Sequence, residues 1–94
     1  MKLMIASDLH GSAYFTRKLM ERYDRERPDK LLLLGDLLYH GPRNALPQDY
    51  SCPDVASQLN AVKDRIVAVR GNCDCEVDQM VLEFPMMGDY ALLE

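Results

Sequence analysis

The stretch KLLLLGD, residues 30–36, decides the fold. Its four consecutive leucines show neither the alternation of a half-exposed strand nor the stripe of a surface helix, and Gly35 closes the run. A short continuous apolar run of this kind predicts a strand in a parallel sheet, apolar on both faces. Two further runs read the same way, KLMIAS at 2–7 and RIVAVRG at 65–71.

Helical patterns separate the three. After Gly11 and Ser12, Phe15, Leu19 and Tyr23 recur at helical spacing with Met20 beside them. Ser12 is the expected N-cap, and Pro28 ends the helix. Ser51 stands three residues before Asp54, with Pro53 in the first turn, and Val55, Leu59 and Val62 form the stripe that follows. The order strand, helix, strand, helix, strand implies right-handed crossovers and a mainly parallel sheet with flanking helices, an α/β fold. A short helix over 76–83 and a final strand over 89–94 complete the reading. The connection at 39–52 is long for an α/β unit, a length that marks a functional or mobile loop.

The 94 residues make one domain, 48% apolar, with a net charge of −4. Acidic and basic residues are interleaved, as in RKLMERYDRERPDK at 17–30, which describes a solvated helix face and not a nucleic-acid track. No run is long and apolar enough to span a membrane, and the N-terminus lacks a signal-peptide pattern. Three cysteines, an odd number, point to free thiols in a reducing compartment, so the expected location is the cytoplasm.

Each expected strand is followed at once by ligand-type residues: Asp8 and His10, then Gly35-Asp36, then Gly71-Asn72-Cys73-Asp74. Singly, each is an ordinary turn. In a parallel sheet, however, all three turns lie at the carboxyl edge, where open α/β sheets bind ligands. Two carboxylates beside an imidazole repel one another unless a cation neutralises them. Mixed oxygen and nitrogen donors suit first-row divalent metals such as Mn, Fe, Ni or Zn. A carboxylate in the middle turn can bridge two ions, the usual device for hydrolysing phosphate esters by in-line attack of activated water.

These motifs resemble the first three of the calcineurin-like metallophosphoesterases. GDLLYHGPRNALP at 35–47 and VRGNCDCEVDQM at 69–80 resemble, more narrowly, the bacterial YfcE-type phosphodiesterase branch. The resemblance runs through the whole chain in order. It implies a four-layer α-β-β-α sandwich, of which residues 1–94 match the N-terminal half as a single, truncated domain. It further implies that Asp8 and His10 bind one metal, commonly Mn, that Asp36 bridges, and that Asn72 binds the second. Asn72 and His10 become the catalytic candidates, and a small phosphoester the expected substrate.

Two departures stand out. Many relatives carry a histidine acid after the Gly-Asn asparagine, where this chain has Cys73, a poor general acid near neutral pH. Family chains also continue through Gly-His and Gly-His-x-His motifs, whereas the histidines here are His10 and His40. His40, with Arg43, is a candidate for the phosphate rim, set against a plain surface histidine. A half-sandwich would expose an apolar face, inviting a homo-oligomer to cover it. Two other functions compete with hydrolysis: an inactive scaffold keeping part of the metal site, and a thiol site at Cys73 and Cys75. Their Cys-x-Cys spacing fits recognised thiol motifs poorly.

Overall fold

The computed structural model describes residues 1–93. Strands β1 (Leu3–Ala6), β2 (Lys30–Leu33) and β3 (Ile66–Ala68) form one parallel sheet in that order. The register aligns Ala6, Leu33 and Ala68, so the three following loops start side by side. Hydrogen bonding continues past the strands: Leu34 N–H donates to the Ala6 carbonyl, Asp8 to Gly35 and Val69 to Leu33, each at 3.0 Å. The ligand-bearing turns are therefore extensions of the ladder.

Helix α1 (Ala13–Glu26) joins β1 to β2, and α2 (Cys52–Asn60) precedes a single 3₁₀ turn, Lys63–Arg65, that feeds β3. Both caps match the sequence. Ser12 Oγ accepts the Phe15 N–H at 3.1 Å, and Ser51 Oγ accepts that of Asp54 at 3.4 Å. Arg27, left-handed at φ 46°, closes α1 one residue before Pro28. Leu31, Leu33, Leu37, Val55 and Leu59 are fully buried between helices and sheet. Complete burial of such a side chain stabilises by about 1.5–3 kcal/mol.

Four expectations need correction. The α1 stripe is rotated: Ala13 and Thr16 are buried, Leu19, Met20 and Tyr23 are partly so, and Phe15 is 53% exposed. The helices cover one face of the sheet only. Leu3, Ile5 and Leu34 on the other are 39, 61 and 49% exposed, because the helices pack on the side of Leu31 and Leu33.

The helix expected over 76–83 shortens to α3 (Glu76–Gln79). Gln79 Nε2 donates to the carbonyls of Leu82 and Phe84 at 3.0 and 2.8 Å, and its Oε1 accepts the Met86 N–H at 2.9 Å. These bonds wrap residues 82–86 around the end of α3, in place of another helical turn. The expected last strand does not form over residues 89–93, and Glu94 lies outside the described residues. Among the described residues no strand pairing includes 89–93, although the Arg70 N–H donates to the Gly88 carbonyl at 2.8 Å just before them. Ala91 and Leu93 instead line a shallow cavity with Leu32, Leu34 and Val69.

Candidate metal centre

The long 39–52 connection is pinned to the turn before α1. Ser12 Oγ donates to the Gln48 carbonyl at 2.7 Å, Ala13 N–H to Asp49 at 2.9 Å, and Ser51 N–H to Gly11 at 2.8 Å. Gly11 has φ +78°, and a Cβ there would strike the Leu38 carbonyl and the Tyr50 ring. The loop is thereby held over the carboxyl edge of the sheet.

At that edge Asp8, His10 and Asp36 each take a left-handed backbone, φ 61°, 48° and 56°. The conformation is uncommon for residues with a side chain and tends to persist where a functional geometry demands it. Here the neighbouring chain enforces it: Asp8 N–H donates to the Gly35 carbonyl, His10 to Asp36 and Gly11 to Leu37, all within 3.0 Å. A Cβ on Gly35 would collide with the Gly71 backbone, and one on Gly71 with the Asp36 carboxylate. The two glycines of Gly-Asp and Gly-Asn are thus what lets β2 and β3 bring Asp36 against Asn72.

Ligand atoms of Asp8, His10 and Asp36 lie within 4.8 Å of one another. His10 Nδ1 sits 2.8 Å from the Tyr39 carbonyl, which can only accept, so the Nδ1 proton is assigned there. His10 Nε2 then faces Asp8 Oδ1 at 3.1 Å and Asp36 Oδ2 at 3.9 Å. The Asn72 side-chain amide lies on the other side of Asp36. With its nitrogen inward it donates to both Asp36 oxygens, at 3.2 and 2.5 Å. With its oxygen inward it meets only acceptors, an arrangement that a cation between them satisfies.

The electrostatics agree. The Ser7 hydroxyl, 2.5 Å from Asp8 Oδ2, holds the Asp8 carboxyl below its usual range against the opposing effect of burial, with His10 assisting. Burial pushes Asp36 up, against the Cys73 N–H that donates to it at 2.6 Å, and the Asp8 charge adds to the rise. The two carboxylates titrate as a pair in which Asp36 is the harder to ionise. Burial disfavours the charged form of His10, yet the Tyr39 carbonyl and the two carboxylates outweigh it and raise its pKa. A carboxylate pair, Asp36 buried and Asp8 exposed, that draws a proton to the adjacent imidazole is one that a divalent cation would relieve. The donor set therefore fits a metal of the borderline kind.

Burial, with the charges of Asp36, Asp74 and Asp8, also raises the Cys73 thiol, so it keeps its proton at neutral pH. His40 is half-buried beside the site, its ring edge-on to Tyr39 and Tyr50 at 5.0 and 5.3 Å, and its Nδ1 is buried without a partner. Arg43 is exposed further along the loop, and it is not among the residues that wall the pocket next to Asp8 and His10. Cys73 and Cys75 are free thiols, as is Cys52.

Sequence reasoning gave no role to Asp74, which is 3% exposed. Its Oδ2 accepts the N–H groups of Asp36 and Gly71 at 2.8 and 2.7 Å, and its Oδ1 that of Leu37 at 3.2 Å. The signal was its place in Gly-Asn-Cys-Asp, the turn facing Gly-Asp. Ser7 and the Tyr39 carbonyl were likewise missed, because their contacts depend on backbone conformation.

A family model for calcineurin-like phosphoesterases matches residues 1–92. With the parallel sheet and the Asp-His-Asp cluster at its carboxyl edge, the match makes this chain a member of the calcineurin-like phosphoesterase family. Among individual proteins, it is 54% identical over 86 residues to phosphodiesterase YfcE of Escherichia coli K12, and equally to those of strains O6:H1 and O157:H7. Those alignments take in 92% of this chain and 47% of each relative. A solved structure of YfcE, a phosphoesterase from E. coli, superposes with a TM-score of 0.95 at 50% identity, over 100% of this chain and 53% of that one. The chain thus spans about half the length of the relatives it matches, and its three strands and flanking helices have the YfcE fold.

Proposed function

We propose that this chain carries the metal-ligand half-site of a phosphodiesterase, with Asp8, His10, Asp36 and Asn72 as the ligands of two divalent ions. Manganese is the proposed metal, with Fe, Ni or Zn accepted by the same donors. The observation that supports the reading most is His10. Its Nδ1 is committed to the Tyr39 carbonyl, which aims the Nε2 lone pair at the space between Asp8 and Asp36. An outer hydrogen bond that fixes the tautomer is the usual companion of a ligating histidine.

When bound, the ions supply Lewis acidity, neutralise phosphoryl charge and make water a nucleophile at neutral pH. The chain's own residues do the rest. Ser7 keeps Asp8 ionised, and the Cys73 N–H holds one Asp36 oxygen so that the other faces inward. Asn72 and His10 are the proposed catalytic residues. Burial and the neighbouring carboxylates raise the Cys73 thiol and make it a weak acid, which favours esters whose leaving group needs no acid. The substrate is a small phosphodiester, and the free thiols fit a cytoplasmic protein. No helix of the described residues is long and apolar enough to cross a membrane.

The test is hydrolysis of bis(4-nitrophenyl) phosphate by the purified chain with and without Mn. Turnover that appears with Mn, vanishes on chelation and is lost in Asp36→Asn supports the assignment. Full metal-dependent turnover by Asp36→Asn removes it.

A further inference from the structure

The three cysteines do not associate as their spacing suggests. Cys73 and Cys75 are neighbours but one in the chain, yet the fold sends their sulfurs to different places. A Cβ on Gly41 would lie 3.5 Å from Cys73 Sγ, so that thiol faces the pinned loop. Cys75 instead lines a cavity of about 280 Å³ together with Cys52, with Leu38, Tyr50, Val77 and Asp78 among its other walls. Cys73 is not among the residues that wall it.

Contacts to one segment bring Cys52 and Cys75 together. Asp74 Oδ1 accepts the Leu37 N–H at 3.2 Å, which sets Cys75 beside the residues that follow Leu37. Cys52 Sγ lies 3.3 Å from the Leu38 carbonyl and 3.3 Å from the Tyr50 phenol oxygen. The Cys75 N–H donates to Asp78 Oδ2 at 3.3 Å, which fixes Cys75 at the start of α3. Both thiols are free, Cys75 exposed and Cys52 half-buried. An exposed thiol with a second one beside it to resolve its oxidised form is the arrangement of redox-responsive pairs. The cavity is small for an organic ligand and ample for a peroxide.

We propose that Cys52 and Cys75 form a peroxide-reactive dithiol, a modification site that closes to an intramolecular disulfide. Exposed Cys75 reacts first. Its thiolate attacks one peroxide oxygen and the O–O bond breaks. Cys75 becomes a sulfenic acid, and the other oxygen leaves as hydroxide, which takes up the thiol proton to give water. Cys52 then attacks the Cys75 sulfur, the S–O bond breaks, and that oxygen leaves as a second water with the Cys52 proton. The two thiols lose two electrons between them, and the peroxide gains both. Closing the bond brings the sulfurs to about 2 Å, so Cys52 turns from Leu38 and Tyr50 across the cavity. The site is independent of the metal reading.

The test is oxidation of the reduced, chelated chain by one equivalent of hydrogen peroxide at low protein concentration. Remaining thiols are then alkylated, and the digest is read by mass spectrometry without reduction. The free-thiol count should fall from three to one in the monomer, with the label on Cys73. In an unfolded chain the shorter loop favours Cys73 with Cys75, so urea should lower the ratio of Cys52–Cys75 to Cys73–Cys75 links by about tenfold or more. Cys73→Ser should form the Cys52–Cys75 link at the wild-type rate. Cys52→Ser should leave Cys75 as a sulfenic acid that dimedone traps. A Cys73–Cys75 link dominating in the folded chain, three thiols surviving the peroxide, or links between chains alone would each overturn the proposal.

Discussion

Asp74 and Asp36 come from different strand ends, yet one carboxylate organises the other: Asp74 Oδ2 accepts the Asp36 backbone N–H at 2.8 Å. The same oxygen accepts from Gly71, and Oδ1 from Leu37, so one buried side chain ties the β2 turn to the β3 turn. Asp74→Ala leaves three backbone N–H groups short of a partner, each costing about 1–3 kcal/mol when buried. Chemical denaturation of the metal-free variant should show a loss of about 3 kcal/mol or more. Asp74→Asn, which keeps acceptor capacity at one atom, should lose less and weaken Mn binding about 10- to 100-fold, as expected of a group that positions a ligand.

Asp36→Asn should move stability and metal binding in opposite directions. Burial and the Asp8 charge raise the Asp36 pKa in the folded chain. A raised folded pKa means that its contribution is full below the unfolded value and is lost as pH rises through the folded one. At neutral pH the metal-free protein therefore carries an unfavourable charge there. With chelator at pH 7.5, Asp36→Asn should melt above the wild type. With excess Mn the order should reverse, because only the wild type gains binding energy. A lower melting temperature in chelator would count against the repulsion.

His10 should control the pH dependence of metal uptake. Its protonated form is stabilised above the ordinary imidazole value of 6.5 by the Tyr39 carbonyl and the carboxylates, burial notwithstanding. A proton on Nε2 excludes a metal, so Mn affinity should fall as pH drops through the raised His10 pKa. NMR titration of the His10 ring in the metal-free chain should give a midpoint above that of a histidine peptide. Stability contributed by protonated His10 is lost as pH rises through that same midpoint.

Tyr50 should be the last tyrosine to ionise. The hydrogen bond with Cys52, whose sulfur lies 3.3 Å from the phenol oxygen, together with burial, pushes it up to about 12. Absorbance at 295 nm should resolve one late phase among five tyrosines, and Cys52→Ala should move it back toward 10. The stability tied to protonated Tyr50 is full below 10 and is lost as pH rises toward 12.

The uncovered sheet face should drive self-association. Leu3, Ile5 and Leu34 form an exposed apolar row on it. Contiguous apolar surface of this kind marks an interaction site. Light scattering should show a mass that rises with concentration, and Ile5→Lys with Leu34→Lys should return the chain to a monomer. A concentration-independent monomer in the wild type would exclude a second copy as the occupant.

Much of this was legible from local chemistry. The three leucine- and valine-rich runs became β1, β2 and β3, and Ser12 and Ser51 cap the helices as their positions implied. The convergence of Asp8, His10, Asp36 and Asn72 was legible because a parallel sheet in register puts its loops together. What the sequence left hidden depends on three-dimensional facts. Phe15 shares its helical spacing with Leu19, and only the rotation of α1 on the sheet exposes one and covers the other. The Asp74 network requires the Gly35–Gly71 approach, and the left-handed turns at Asp8, His10 and Asp36 are imposed by bonds between loops. The apolar strands read as buried on both faces, although helices cover one. The residues at 89–93 have strand-like composition, yet among the described residues the only ladder contact near them is the Arg70 N–H to the Gly88 carbonyl, and composition does not specify pairing.

Whether Asp8, His10, Asp36 and Asn72 hold divalent metal is read from calorimetric titration of Mn into the chelator-treated chain at pH 7.5. Saturable binding is expected, lost in Asp36→Asn, weakened in Asn72→Ala and unchanged in Cys75→Ser. An Asp36→Asn isotherm indistinguishable from the wild type would rule out these four residues as the metal's ligands.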